Sequence, residues 1–176
     1  MQIRSFPFPM STRIRLAALS GLLAAGCVRI DGGAVEVSWV VRSSDGRAIT
    51  DCSCASPEIA KVRINLTGVG GDIDGTTPCA GRAACEFPCQ RQTGSTPFDI
   101  RQGQPGSDGQ LPQYQISLTA VGVDDSPLPS GAVQSPAPIL RTVVQGQPTE
   151  VEAFLLVAQC SVSCAGTNSS GVCTRP

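Results

Sequence analysis

Downstream of residue 34 the chain alternates apolar and polar residues with period two, the repeat of a half-buried β-strand. Val35, Val37, Trp39 and Val41 share one face, with Glu36, Ser38 and Arg42 on the other. Val62, Ile64 and Leu66 stand opposite Lys61, Arg63, Asn65 and Thr67; Phe98 and Ile100 stand opposite Asp99 and Arg101. The most regular run places Tyr114, Ile116, Leu118 and Ala120 on one side and Gln115, Ser117 and Thr119 on the other. Two less regular runs follow, Ile139 to Val144 and Val151 to Ala158. The second contains A-F-L-L-V-A, apolar on both faces, which predicts a central strand or one covered on both sides. No segment carries helical periodicity, and the intervals, such as Q-G-Q-P-G-S-D-G-Q, hold turn-forming Gly, Pro, Ser and Asp. The expected class is all-β, a single antiparallel β-sandwich of about seven strands, with Asp125 to Pro138 as a long loop inside one domain.

Composition narrows the chemistry. Of 176 residues 41% are apolar, too many for a disordered tail, and 13 Lys+Arg balance 14 Asp+Glu, so no nucleic-acid partner is expected. There is no histidine, which excludes a Ser-His-Asp triad, a Cys-His pair and any His-containing metal site.

The amino terminus reads as an export signal. Arg4, Arg13 and Arg15 are the only charges in the first 26 residues and precede the apolar run from Leu16 to Ala25. Ten helical residues rise about 15 Å, half the hydrocarbon thickness, too short for a spanning anchor. A start at Met10, with S-T-R-I-R directly before the apolar run, makes a more ordinary signal than one at Met1 that opens with F-P-F-P; both starts stay open. The run ends in L-L-A-A-G-C and here resembles the lipobox of bacterial lipoproteins, with Leu23, Ala25 and Gly26 in keeping and Ala24 a mild departure. The resemblance implies cleavage before Cys27, a diacylglycerol on the Cys27 sulfur and attachment to a bacterial membrane, the outer favoured over the inner. Two or three acyl chains, at about 0.8 kcal/mol per methylene, hold a protein on a bilayer permanently. The expected organisation is a signal peptide over 1–26, a lipidated tether over 27–34, the sandwich over 35–160 and a Cys-containing tail over 161–176.

The arrangement W-V-V-R-S-S-D-G-R-A-I-T-D-C, K-V-R-I-N-L, F-D-I and L-P-Q-Y-Q-I-S-L resembles immunoglobulin-like, fibronectin-III-like and transthyretin-like envelope modules. It implies that Trp39 packs under the opposite sheet and that Tyr114 opens a late strand after a loop. Together with the lipobox, the chain also looks like lipoproteins of high-GC Gram-negative bacteria. Fold likeness implies no activity.

With Cys27 assigned to lipid, Cys52, Cys54, Cys79, Cys85, Cys89, Cys160, Cys164 and Cys173 remain, an even set that in an exported chain reads as four disulfides. Five lie early and three late. Complete pairing therefore requires a bridge between the two groups, closing a long loop worth about 4–5 kcal/mol in the chain-entropy model. Cys52 and Cys54, one residue apart, point the same way in extended backbone and should reach different partners, one of them Cys85 or Cys89. Cys160 with Cys164, or Cys164 with Cys173, are open alternatives for a local pair. Zinc is disfavoured because the spacings match no ribbon and an oxidising envelope favours disulfides, and redox catalysis because C-x-x-C is absent.

Asp72, Asp74 and Gly75 begin like a calcium loop, but Thr76, Thr77 and Pro78 follow and no closing carboxylate appears, so a polar turn is expected. Asp124 and Asp125 read likewise. Neither G-x-S-x-G nor S-x-x-K occurs, and five aromatics after residue 26 are too few for a sugar cleft lined by rings. The expectation is a lipid-anchored binding or structural module of the envelope, with no catalytic residues, no metal, no cofactor and a possible envelope protein as partner. The alternative is a small envelope enzyme or enzyme inhibitor acting through the Cys-rich loop 72–92.

Overall fold

The structure, a computed structural model, describes residues 31–164 and 172–173. Its long strands follow the alternation. β1 (Ala34–Ser43) buries Val35, Val37, Trp39 and Val41 and turns Glu36, Val40 and Arg42 outward. Each fully buried side chain of this kind contributes about 1.5–3 kcal/mol, enough to lock the register, because a one-residue slip would expose the whole stripe. After β2 (Ala48–Ile49) and β3 (Ala55–Ser56), β4 (Lys61–Val69) buries Val62, Ile64 and Leu66. β5 (Glu86–Pro88) and β6 (Thr93–Ser95) are short. β7 (Gln113–Val121) buries Tyr114, Ile116, Leu118 and Ala120. β8 (Ile139–Arg141), β9 (Pro148–Cys160) and β10 (Val172–Cys173) complete the set.

Two sheets form. One runs β10-β2-β1-β9-β3, with β6 also on β1; the other runs β5-β4-β7-β8. The β4–β7 pair is antiparallel without a break from Lys61 opposite Val121 to Val69 opposite Gln113. Inward residues of both sheets, among them Trp39, Ile64, Tyr114, Ile116 and Phe154, join one apolar cluster.

Three expectations are corrected. The pairing is not purely antiparallel: β1 and β9 run parallel from Ala34 opposite Pro148 to Ser43 opposite Ala158, and β10 lies parallel to β2. Parallel neighbours need a long crossover, and here nearly the whole domain intervenes between them. The expectation of a central strand over A-F-L-L-V-A is met, since β9 lies between β1 and β3; its outer face is bare, where Leu155 beside Val40 leaves both side chains 42% exposed. Phe98 and Ile100 do not share a strand face: Phe98 lies in an exposed turn, while Ile100 is buried and bridges Gly33. Finally, Gly32–Ala34 belong to the body rather than to a tether. Gly33 N–H donates to the Ile100 carbonyl (2.9 Å) and Ala34 N–H to the Gln147 carbonyl (3.2 Å), and a Cβ on Gly32 would strike the Asp99–Ile100 backbone.

The stretch Asp125–Pro138 is stitched into the same body. Leu128 N–H donates to the Ala120 carbonyl, Val133 is buried, and Gln134 exchanges two backbone bonds with Val157.

Candidate functional site

Cys27 lies outside the described residues. The other eight cysteines form four disulfides: Cys52–Cys89, Cys54–Cys164, Cys79–Cys85 and Cys160–Cys173. Cys52 and Cys54 are not in extended backbone. They sit on a single 3-10 turn, Cys52–Cys54, whose start is capped by the Asp51 carboxylate accepting from Ser53 N–H (3.0 Å). At three residues per turn their side chains diverge by about 120°, so each reaches a different partner. Cys54–Cys164 is the bridge that the odd-numbered groups require, across 110 residues. Neither local pairing considered for the late group forms. Cys160 ends β9 opposite Ala55, while Cys164 lies on a second 3-10 turn, Val162–Cys164, that Ser161 N–H ties to the Cys54 carbonyl (2.7 Å). Seven of the eight cysteines are buried and Cys160 is half-buried. Bonded and shielded sulfur offers no thiolate for metal or redox work.

The two carboxylates of the calcium-like run serve separate loop closures. Asp72 accepts from the Arg101 guanidinium (2.7 Å) and from Gln104 N–H (2.6 Å). Asp74 accepts from Gly70 N–H (3.0 Å), and Gly75 takes a positive φ of 72°, where glycine is unstrained. Among the described residues no group of three His, Cys, Asp or Glu is arranged to hold a metal ion. Asp124 caps Ser126 N–H. Asp125 pairs with Lys61 at 2.6 Å, which lowers the carboxyl pKa and raises that of the ammonium.

Within the loop 72–92, Cys79–Cys85 closes a small ring that exposes Ala80, Gly81, Ala83 and Ala84. Arg82 is held by both Asp99 oxygens (2.7 and 3.2 Å) and by the Pro78 carbonyl, and Asp99 raises its pKa. Ala83–Cys85 is a 3-10 turn. At the other end of the loop, Phe87 packs over Gly94, where a Cβ would collide with its ring, and Arg91 lies 5.7 Å from the ring centre.

Both singled-out aromatics are core. Trp39 is 1% exposed and donates its indole N–H to the Cys89 carbonyl (3.0 Å). Tyr114, also buried, donates its hydroxyl to the Arg101 carbonyl (3.0 Å), and burial pushes its phenol pKa up. The loop that begins at Arg101 carries no motif in the sequence. Its glycines and glutamines read only as turn composition, and nothing local announces that Asp72 and Tyr114 hold it from two sides.

No protein-family model, curated protein or solved structure matches the chain. Among the described residues no helix is long and apolar enough to cross a membrane.

Proposed function

We propose that the protein is a lipid-anchored module of the bacterial cell envelope that acts by binding or structural support, without catalysis of its own. One observation carries this reading: four disulfides account for eight of the nine cysteines, and the ninth is Cys27, the cysteine of L-L-A-A-G-C. Disulfides on this scale belong to oxidising compartments. The finer fold reading, an immunoglobulin-like sandwich, draws support from the shared core of the two sheets, from Trp39 beneath it, and from the Tyr114 hydroxyl bonded to backbone 13 residues upstream.

Gly32, whose carbonyl accepts from Gly146 N–H in the body, lies five residues after Cys27, a reach of at most about 18 Å. The domain therefore stands close to the bilayer. β1, about 33 Å long, leads away from the tether, and Cys54–Cys164 and Cys160–Cys173 brace the far end where β9 finishes.

Palmitate labelling of cells making the wild type and the Cys27→Ser variant tests the anchor. Label in the wild type alone supports it; equal label in both, or none in either, refutes it.

The Cys79–Cys85 ring of small exposed residues favours a second reading, an inhibitor presenting this loop. A rigid loop that blocks an envelope hydrolase should lose its effect when Ala83 and Ala84 are replaced by Asp. The module reading expects no inhibition to lose.

A further inference from the structure

We infer that the tether end of the domain carries a binding site for a neutral, hydroxyl-rich ligand, a saccharide, in the cavity between the loop Arg101–Pro112 and the turn at Gln145. The cavity holds about 280 Å³, close to the lower limit of small-ligand sites at about 300 Å³. Asp31, Arg101, Gln102, Gln104, Leu111 and Gln145 line it.

The loop is built, not slack. It runs 12 residues without a strand or helix, well beyond the roughly four to six usual for a connection. Yet Asp72 grips both the Arg101 side chain and the Gln104 N–H, and Tyr114 holds the Arg101 carbonyl. Gln102 Oε1 accepts from Gln145 N–H (3.3 Å), joining the two walls. Gly71 and Gly103, at φ 59° and 75°, lie where the two loops touch. A Cβ on Gly71 would strike the Gln104 carbonyl, and one on Gly103 the Pro112 ring. A wall fixed beforehand loses little entropy when a ligand arrives.

The lining selects the ligand. Arg101 is already neutralised by Asp72, so an anion gains little here. What remains is carboxamide. Gln102 keeps its amide N–H₂ to donate, and the Gln104 side chain has no protein partner among the described residues. A carboxamide offers a donor and an acceptor in one plane, which matches neighbouring hydroxyls or an acetamido group. Leu111, half exposed, and Pro105 offer an apolar wall for the C–H face of a sugar ring. With no aromatic platform, affinity should lie in the millimolar range.

The test is a ¹H–¹⁵N NMR titration of the purified, oxidised protein with N-acetylglucosamine to roughly 50 mM, with sodium phosphate and glycerol as parallel arms. The expected result is saturable movement of the Gln102, Gln104 and Gln145 signals with the sugar alone. Gln104→Ala, which removes an exposed side chain without a protein partner, should weaken binding about two- to tenfold, the worth of one or two neutral hydrogen bonds. No movement with the sugar, equal movement with phosphate or glycerol, or full affinity in Gln104→Ala would overturn the site. The outcome does not depend on whether Cys27 carries lipid.

Discussion

The indole N–H of Trp39 donates to the carbonyl of Cys89 at 3.0 Å, and the sulfur of the same Cys89 is bonded to Cys52. One buried residue of β1 is thereby tied to a strap that is itself covalently closed. Trp39→Phe removes the hydrogen bond and part of the ring, and the Cys89 carbonyl keeps Gln92 N–H as a donor. The expected loss is about 1–3 kcal/mol, against about 3–5 kcal/mol for Trp39→Ala. Urea unfolding of the oxidised proteins measures both, and a Phe variant as stable as wild type would show that the indole bond contributes nothing.

The four disulfides should differ in worth. In the chain-entropy model Cys54–Cys164, across 110 residues, contributes about 4–5 kcal/mol, whereas Cys79–Cys85, across 6, contributes about 2 kcal/mol. Paired Cys→Ser variants at each bridge, compared by denaturant midpoint, should rank in that order. The opposite ranking would mean that native packing around the small ring outweighs unfolded-chain entropy.

Tyr114 is the single tyrosine of the chain, so its ionisation can be followed by ultraviolet absorbance without interference. Burial raises its pKa in the folded state. A raised pKa means stability that is complete below the unfolded value of about 10 and is lost as pH climbs through the folded value. Tyrosinate should therefore appear later in the native protein than in the urea-unfolded one. Tyr114→Phe should flatten the alkaline fall in stability while losing about 1 kcal/mol at neutral pH with the bond to Arg101. Coincident titrations of native and unfolded protein would contradict this.

Gly68 lies on β4 where a Cβ would run into the Ile73 carbonyl and the Thr76 hydroxyl. Gly68→Ala should destabilise by roughly 1–3 kcal/mol, because the obstacle is backbone that also bonds Gly75 N–H to the Gly68 carbonyl. Gly46→Ala, at φ 88° with open space around it, suffers only the backbone strain of a turn. Thermal melts of the two variants separate close packing from conformational preference, and a loss at Gly68 no larger than that at Gly46 would show that the loop beside Gly68 gives way to the added methyl.

Local pattern carried the long strands. Alternation at Val35–Val41, Val62–Leu66 and Tyr114–Ala120 is a property of neighbouring residues, and burying one face is the only way such a stripe leaves water. Cysteine parity was equally legible, since counting requires no geometry. Partner choice was not. That β1 lies parallel to β9, that Phe98 turns outward while Ile100 turns in, and that Cys164 reaches Cys54 rather than a neighbour all depend on contacts between residues far apart in the chain. The carboxamide-lined cavity belongs to the same class: Arg101, Asp72 and Gln145 meet only because two sheets close over one core. Composition and period determine which side chains must be buried, while the route that buries them together is chosen by packing and loop closure over the whole domain, which no short window of residues encodes.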